Sequence, residues 1–490
     1  MVSLDDSRNK SADHWLNFIP LILCVYFALQ VIIRYFASDS LGLDEAEQIV
    51  AAQGLEWGYG PQPPLYSWLV SLFFAIFGEG VFTLALLKNL LLFAGYMGIW
   101  CSGRIIGGLA VGAIAAVSLL FLPQIAWVSQ KTLSHSTLLF ATSSWTIALF
   151  LFALKKPAYW KSCLLGVLIA AGVLSKFNYA FLFVALVLSA VCYQDGRRFL
   201  FSKQFILSIV IAGALLAPPV IWMFENVDLL FSRTKKFEVA AGGKARLDGI
   251  IYLVSSSLWF VAIAAVAYVG AFGFIRKKGE QITPDIDRVL RGFISLTLLL
   301  GVVLVTVLVL ASGTTVVKGR WLQPVLFFTP LVALSWLYNR LSENRAKVLC
   351  ALAFSLALLV SITLPINLNY GSFKKPPVRA IPYEGIAVIA EQRGVKSLFT
   401  INLALAGNLS YLLGDIHVAT PEYAALDISY EAPVMVLWRH GASGRMPRVL
   451  QELYKRKLGK DPTNIQGKRI SLPHKGWWNE DFQFWMVIEN

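Results

Sequence analysis

The first 370 residues alternate long apolar runs with short polar segments. An apolar run of roughly 18–25 residues is long enough to cross the hydrocarbon core of a bilayer as a helix. The pattern predicts about eleven such spans, near residues 16–36, 81–102, 105–124, 133–154, 162–175, 177–194, 204–224, 249–275, 290–311, 320–339 and 347–367. It therefore predicts a polytopic α-helical membrane protein.

After Tyr370 the balance of polar and apolar residues becomes that of a soluble protein. Stretches rich in β-branched and aromatic residues predict short strands at 397–402, 416–420, 432–438 and 482–488. Helical spacing marks 384–393 and 448–457. We expect a transmembrane domain at 1–370 and a small α/β soluble domain at 371–490.

Lys and Arg residues set the expected orientation. With the N-terminus in the cytoplasm, alternate loops carry most of the basic residues, in agreement with the positive-inside rule. The segment that follows the first span then lies on the outer face, and so does the C-terminal domain.

Composition narrows the class of protein further. The chain is 57% hydrophobic and 15% charged, which is typical of a membrane protein. Its net charge of +14 is better explained by cytoplasmic loops and anionic lipids than by nucleic acid. The five cysteines lie in or beside apolar runs and show neither a disulfide framework nor metal-ligand spacing: Cys24, Cys101, Cys163, Cys192 and Cys350.

The segment from Ser38 to Gly80 differs from almost every other polar loop, since those are rich in Lys or Arg. It contains no Lys or Arg, and it carries six acidic residues: Asp39, Asp44, Glu45, Glu47, Glu56 and Glu79. An acidic, aromatic loop with several prolines at a membrane surface indicates a functional role. We expect the acidic loop, residues 38–80, to be the catalytic loop.

Asp44 is the leading candidate for a catalytic residue in this loop. The run DEAEQIVAAQG after Gly42 has helix-forming composition, and a carboxylate near its start can cap exposed N–H groups. A carboxylate held outside the bilayer can instead act as a general base. Spacing alone leaves both roles open for Asp44. Glu45 and Glu47 are less favoured as the general base.

The stretch from Tyr59 to Trp68 is rich in proline and aromatic residues. Pro63 and Pro64 predict an extended entry into a short apolar segment, Leu65–Phe77, that suits the membrane interface better than a full crossing. Tyr59 and Tyr66 then line a substrate site or form an ordinary aromatic belt.

Basic residues also gather in three turns on the expected outer face: Lys176; Lys318 and Arg320; and Arg233, Lys235, Lys236, Lys244 and Arg246. Lys88 lies just inside the second span. A lone boundary lysine often snorkels to headgroups. The concentration of basic residues opposite an acidic loop indicates an anionic partner, for which a lipid phosphate or pyrophosphate fits best.

The order of these motifs resembles that of the C-type glycosyltransferases of the protein-mannosyltransferase-like superfamily. The shared features are the acidic DEA loop, the PPL-Y-W segment, the LSKFNY turn, the K-x-R-W-x-x-P sequence and a terminal soluble domain. Bacterial polyprenyl-phosphate-sugar-dependent aminoarabinose, galacturonosyl and mannosyl transferases are similar. The resemblance implies a GT-C type fold in the bacterial inner membrane, with the C-terminal domain in the periplasm.

The resemblance implies roles for individual residues. Asp44, with Glu45 beside it, maps onto the catalytic carboxylate, and Lys176 onto the lysine near the lipid phosphate. Lys318, Arg320, Lys88 and Lys235 would join the donor-phosphate site. The substrate-lining residues would be Tyr59, Pro63, Pro64, Tyr66, His135 and Tyr179. His135 stands where many relatives have a second acidic residue, which puts a two-acid mechanism in doubt.

The implied reaction is an inverting transfer of sugar from a polyprenyl phosphate to lipid A, lipopolysaccharide or another envelope glycolipid. No cofactor is required and no metal ligand is assigned, while a divalent metal stays open. Membrane lipids are expected partners, and nucleic acid is not. The alternatives are a polyprenyl-linked lipid flippase or transporter, the same transfer to protein, and a membrane assembly factor.

Overall fold

A computed structural model of the protein describes residues 14–132, 134–230, 243–275, 286–371, 375–439, 444–462 and 465–489. Within these residues, seven helices are long and apolar enough to cross a membrane, or up to nine if each of two bent helix pairs is one span. The polytopic helical architecture is therefore confirmed. The exact number of eleven stays a prediction.

The helices of the apolar part, numbered in chain order, are α1 (Ile19–Ala37), α2 (Leu43–Ala52), α3 (Leu65–Phe77), α4 (Val81–Ser118), α5 (Ser129–Lys131), α6 (His135–Lys155), α7 (Tyr159–Ser175), α8 (Tyr179–Cys192), α9 (Gln194–Leu200), α10 (Lys203–Glu225), α11 (Val227–Leu230), α12 (Gly243–Val269), α13 (Arg288–Ser312), α14 (Gly319–Leu326), α15 (Thr329–Leu337) and α16 (Glu343–Tyr370). Helix α4 is interrupted at Gly107 and Gly108, where the backbone leaves the helical region. The spans predicted at 81–102 and 105–124 are the two arms of this helix. Helix α7 has 17 residues, which is short for a crossing.

The chain forms two compact units. The helical unit comprises the described residues of 1–30, 88–220 and 233–362. The loop–sheet unit comprises those of 31–87, 221–232 and 363–490, so it contains both the acidic loop and the C-terminal region. The domain boundary at residue 370 stays a prediction.

The helical unit has one continuous apolar core. The rings of Phe150 and Phe293 stack with centroids 5.7 Å apart. Small residues allow helices to approach closely, since a Cβ on Gly98 would lie 2.7 Å from the Cβ of Ser144. Much apolar surface of this unit is exposed. For example, only 22% of the most apolar part of Gly243–Phe274 is buried. Such a surface suits lipid rather than water.

The C-terminal region contains helices α17 (Tyr383–Gln392), α18 (Leu403–Leu413) and α19 (Arg448–Leu458) and strands β1 (Ser397–Thr400), β2 (His417–Ala419), β3 (Val434–Trp438), β4 (Lys468–Pro473) and β5 (Asp481–Glu489). The strand order is β2-β1-β3-β5-β4. Strand β1 pairs in parallel with β2 and β3, whereas β5 pairs antiparallel with β3 and β4. The four expected strands form, and β4 is an additional edge strand.

The central strands are buried on both faces. Residues such as Met435 and Leu437 pack against α17 and α18 on one face, and Val436 and Trp438 pack with α19 on the other. Val50, Ala51 and Tyr59 of the acidic loop belong to the first of these cores. The acidic loop therefore shares a hydrophobic core with the sheet.

Candidate active site

Helix α2 begins directly after Gly42, in the acidic loop. Gly42 is the N-cap residue, and its N–H donates to Glu45 Oε2 at 2.8 Å. Glu45 therefore supplies a carboxylate of the kind that stabilises a helix start. The N–H of the N-cap residue is therefore satisfied by Glu45, the neighbour of Asp44.

Two buried arginines hold the Glu45 carboxylate. Arg34 donates through Nε to Oε1 at 2.8 Å and through Nη2 to Oε2 at 2.7 Å. Arg379 donates through Nη2 to Oε2, also at 2.8 Å. The side chains of Arg34, Arg379 and Glu45 are only 2%, 10% and 13% exposed. Because four donors bind this carboxylate, Glu45 has a supporting role in the structure, and the assignment of Asp44 as the base stays a prediction.

The Arg379 guanidinium lies against the start of α2. A Cβ on Gly42 would be 2.7 Å from Arg379 Nη2, so a side chain there would displace the arginine. Burial lowers the pKa of Arg379, and the Glu45 carboxylate counters that effect. The Glu45 charge is thus what makes a buried guanidinium tolerable at this position.

Asp44 is half-buried in the first turn of α2. Successive helix residues are about 100° apart around the axis, so Asp44 and Glu45 leave the helix in different directions. Burial raises the pKa of the buried Tyr66 hydroxyl, and the Glu45 and Asp44 carboxylates raise it further. Tyr66 therefore lies within electrostatic reach of both carboxylates, but it is only 2% exposed, so its substrate-lining role stays a prediction.

Helix α2 packs tightly on α18. A Cβ on Gly407 would lie 2.1 Å from the carbonyl oxygen of Ala46, so the two helices touch backbone to backbone. Asn408 accepts from the N–H of Leu41 at 2.7 Å and donates to the Leu41 carbonyl at 3.2 Å. The residues just before α2 are thereby fixed to the sheet layer.

The other end of α2 is fixed in a similar way. The Gln53 amide accepts from the N–H of Val418 at 2.7 Å and donates to its carbonyl at 3.2 Å, which extends the ladder at edge strand β2. Tyr423 donates to Glu47 Oε1 at 3.0 Å. The C-terminal sheet is therefore a rigid support for the helix that carries Asp44.

The predicted substrate-lining residues of the acidic loop are mostly buried. Tyr59 is 3% exposed, its hydroxyl donates to the Gly54 carbonyl at 3.0 Å, and burial raises its pKa to about 12. Pro63 and Pro64 are buried at the entry to α3, whose bounds agree with the predicted apolar segment. Tyr59 and the two prolines therefore shape the loop.

The LSKFNY turn and the K-x-R-W segment both contact Ser136 or its neighbours at the start of α6. Lys176 donates to Ser136 Oγ at 2.8 Å, and Gln323 of α14 donates to the Ser136 carbonyl at the same distance. Asn178 donates to the Trp321 carbonyl at 3.1 Å. The LSKFNY turn, the start of α6 and the K-x-R-W segment thus form one polar cluster.

The other predicted site residues of the helical unit differ in their exposure to solvent. His135 is buried at the first position of α6, next to Ser136. Lys318 and Arg320 are exposed at the start of α14, and their role in binding phosphate stays a prediction. Lys88 is buried and donates to the Gln130 carbonyl at 2.9 Å. Lys235 lies outside the described residues.

Tyr179 is packed among helices. It is fully buried, and its hydroxyl lies 2.9 Å from Thr146 Oγ1. A Cβ on Gly172 would lie 2.4 Å from its ring. In this structure Tyr179 therefore holds the LSKFNY turn against α6 and α7 and has a packing role.

Sequence reasoning missed three residues of these clusters: Arg34, Arg379 and Gln323. Arg34 and Gln323 could have been identified from the sequence, because each is a strongly polar residue inside an apolar run, and such a residue generally faces a polar partner. No feature of the sequence indicated that Arg379 pairs with Glu45, since the two residues lie 334 positions apart.

No cluster of three or more His, Cys, Asp or Glu side chains that could hold a metal ion occurs among the described residues.

Comparisons with known proteins identify similar sequences and folds. Residues 61–222 match the family model of dolichyl-phosphate-mannose-protein mannosyltransferases. The lipopolysaccharide core galacturonosyltransferase RgtB of Rhizobium johnstonii is 29% identical over 468 residues, which cover 91% of this chain and 92% of RgtB. RgtA of the same organism is 28% identical over 440 residues, with 86% of each chain covered.

A solved structure has the same fold. ArnT from Cupriavidus metallidurans, bound to undecaprenyl phosphate, superposes with a TM-score of 0.58 at 13% identity and with 98% of each chain covered. Its apo structure gives a TM-score of 0.59. The resemblance stated from the sequence is confirmed, and together these comparisons support a membrane glycosyltransferase of the GT-C type.

Proposed function

We propose that this protein is an inverting glycosyltransferase that moves a sugar from a polyprenyl phosphate to lipopolysaccharide core or lipid A. It would act on the periplasmic face of the bacterial inner membrane, with its N-terminus in the cytoplasm. The names of RgtA and RgtB favour a lipopolysaccharide acceptor and a galacturonosyl donor. The undecaprenyl phosphate bound to ArnT favours a polyprenyl donor.

The observation that carries the proposal is the rigid presentation of Asp44 at the start of α2. As Asp44 takes a proton from the acceptor hydroxyl, that oxygen attacks the anomeric carbon on the face opposite the phosphate. The new glycosidic bond forms while the bond to the phosphate oxygen breaks. The electron pair leaves with the polyprenyl phosphate, and the configuration inverts.

Cationic side chains would stabilise charge that grows on the leaving phosphate. Lys176 is held by Ser136. Lys318 and Arg320 are exposed at the start of α14, and this helix contacts the same cluster through the Trp321 carbonyl and Gln323. Lys88 and Lys235 complete the proposed donor-phosphate set. The transfer needs no cofactor, because the phosphate is already a leaving group.

The test is transfer by purified protein, supplied with polyprenyl-phosphate galacturonic acid and a lipid A or core acceptor. We expect Asp44→Asn to lower kcat by about 10²–10⁴-fold, as is typical on losing a general base. Addition of EDTA to the wild-type reaction tests the absence of a metal requirement.

Asp39→Asn is the matched control, since it removes a carboxylate from the same loop. It should retain activity. Equal activity of wild type and Asp44→Asn would refute Asp44 as the base. Binding of polyprenyl phosphate without turnover of any supplied sugar would instead favour the flippase alternative.

A protein acceptor is the second candidate. The matching family model, over residues 61–222, describes enzymes that mannosylate protein. Transfer to a Ser/Thr-rich peptide in the same assay, with no transfer to lipid A or core, would establish that alternative.

A further inference from the structure

The turn between strands β4 and β5 carries an exposed aromatic side chain. Trp477 is 59% exposed, and its ring centroid lies 5.2 Å from that of Tyr370. Trp478 is its ring neighbour at 6.1 Å. Gly476 precedes them with a φ of 81°, a conformation that suits glycine and turns the chain at this point.

Tyr370 places this turn beside the ends of spanning helices. It is the last residue of α16, one of the helices long and apolar enough to cross a membrane. Its neighbour Asn369 donates to the carbonyl of Ala37, the last residue of α1, at 2.8 Å. Two candidate spans therefore end together, next to Trp477.

Other exposed aromatic residues occur at the same helix ends. Near the end of α1, Tyr35 is 49% exposed and Phe36 is 79% exposed. Tyr35 contacts Phe82, at the start of α4, with ring centroids 6.2 Å apart. Aromatic residues concentrate where spans meet the membrane–water interface. The β4–β5 turn contacts these helix ends through Tyr370.

We propose that the β4–β5 turn docks on the bilayer, with Trp477 inserted at the interface of a phospholipid leaflet. An indole ring suits that position, because its apolar body enters the acyl boundary while its N–H can donate to ester or phosphate oxygens. The partner is the glycerol and headgroup layer of phospholipids, and it requires no particular headgroup charge.

The docked turn is connected to the acidic loop. The backbone N–H of Lys475 donates to the Ala380 carbonyl at 2.8 Å, and its Nζ donates to Ser40 Oγ at 3.0 Å. Ser40 in turn accepts from Arg379 through its carbonyl. The membrane contact therefore fixes the depth at which the loop–sheet unit sits, whatever reaction the protein catalyses.

Photocrosslinking in nanodiscs of phosphatidylethanolamine and phosphatidylglycerol tests the proposal. The photoreactive residue p-benzoylphenylalanine replaces Trp477 in one variant and Asn479 in another, which retains Trp477. We expect intact-protein mass spectrometry to show a phospholipid adduct for both variants after illumination. The same probe at Lys455, exposed on helix α19, should give none.

The third variant combines the probe at position 479 with Trp477→Ser, and we expect it to lose the adduct. Adduct that persists would overturn the role of Trp477 as the anchor. No adduct at 477 and 479, or an equal yield at 455, would overturn the docking itself. Sugar transfer enters none of these measurements, so they are independent of the proposed function.

Discussion

At the scale of single residues, two adjacent carboxylates have different surroundings. Glu45 accepts four hydrogen bonds from Gly42, Arg34 and Arg379. Asp44 is half-buried in the same helical turn, near the Tyr66 hydroxyl. Neighbouring acids commonly take separate roles when their environments differ. Here Glu45 holds the start of the helix, and the role of Asp44 as the base is the proposal that the transfer assay tests.

Glu45→Gln should destabilise the loop–sheet unit. The substitution removes the charge that balances two buried guanidiniums, and breaking a buried pair in this way costs about 3–5 kcal/mol. Equilibrium unfolding in mixed micelles measures the loss. Asp39→Asn is the control and should change the free energy of unfolding by less than about 0.5 kcal/mol. Equal effects of the two substitutions would rule out the supporting role.

The local sequence pattern identified the acidic loop, but it did not identify the residues that bind Glu45 and fix the loop in place. The loop was recognisable because six carboxylates stand without a Lys or Arg between residues 38 and 80. The partners of Glu45 lie 11 and 334 positions away. A pairing over such a distance depends on the folded chain, which no spacing rule describes.

At the scale of elements, patterns of apolar residues predicted most helices and strands. Helix α3 has the predicted bounds, and the four expected strands form. Edge strand β4 was missed because it is basic and ends at a proline, both of which are features that edge strands use to avoid pairing. The break of α4 at Gly107 and Gly108 lies close to the boundary predicted between the spans at 81–102 and 105–124.

Gly407→Ala tests the packing of α2 on α18. The added Cβ would lie 2.1 Å from the Ala46 carbonyl oxygen, so the helices must separate. We expect a loss of about 1–3 kcal/mol in the free energy of unfolding, the usual cost of overpacking. Displacing α2 should also lower sugar transfer.

Gly385→Ala is the matched control in helix α17. There the new Cβ would meet the end of the Leu472 side chain at 3.1 Å, and a side-chain end moves more easily than backbone. Replacing a helix-interior glycine with alanine is itself favourable by about 0.5–1 kcal/mol. A destabilisation by Gly385→Ala as large as that by Gly407→Ala would contradict the close-packing argument.

At the scale of the whole molecule, the C-terminal sheet and the acidic loop form one compact unit although they lie far apart along the chain. Val50, Ala51 and Tyr59 are buried in the same core as Leu405 and Leu437. Composition alone separated a membrane part from a soluble part. It could not show that the soluble part packs around the loop, because that depends on contacts across more than 300 positions.

Truncation after residue 371 should therefore unfold the acidic loop and leave the helical unit folded. Without the sheet, Val50, Ala51 and Tyr59 lose their partners, and a fully buried side chain of the size of Val50 contributes about 1.5–3 kcal/mol. Hydrogen–deuterium exchange measures the effect. Amides of residues 43–60 should lose protection in the truncated protein, while those of helix α6 keep it as the internal control. Retained protection at 43–60 would show that the loop folds without the sheet and would remove the scaffold role of the C-terminal region.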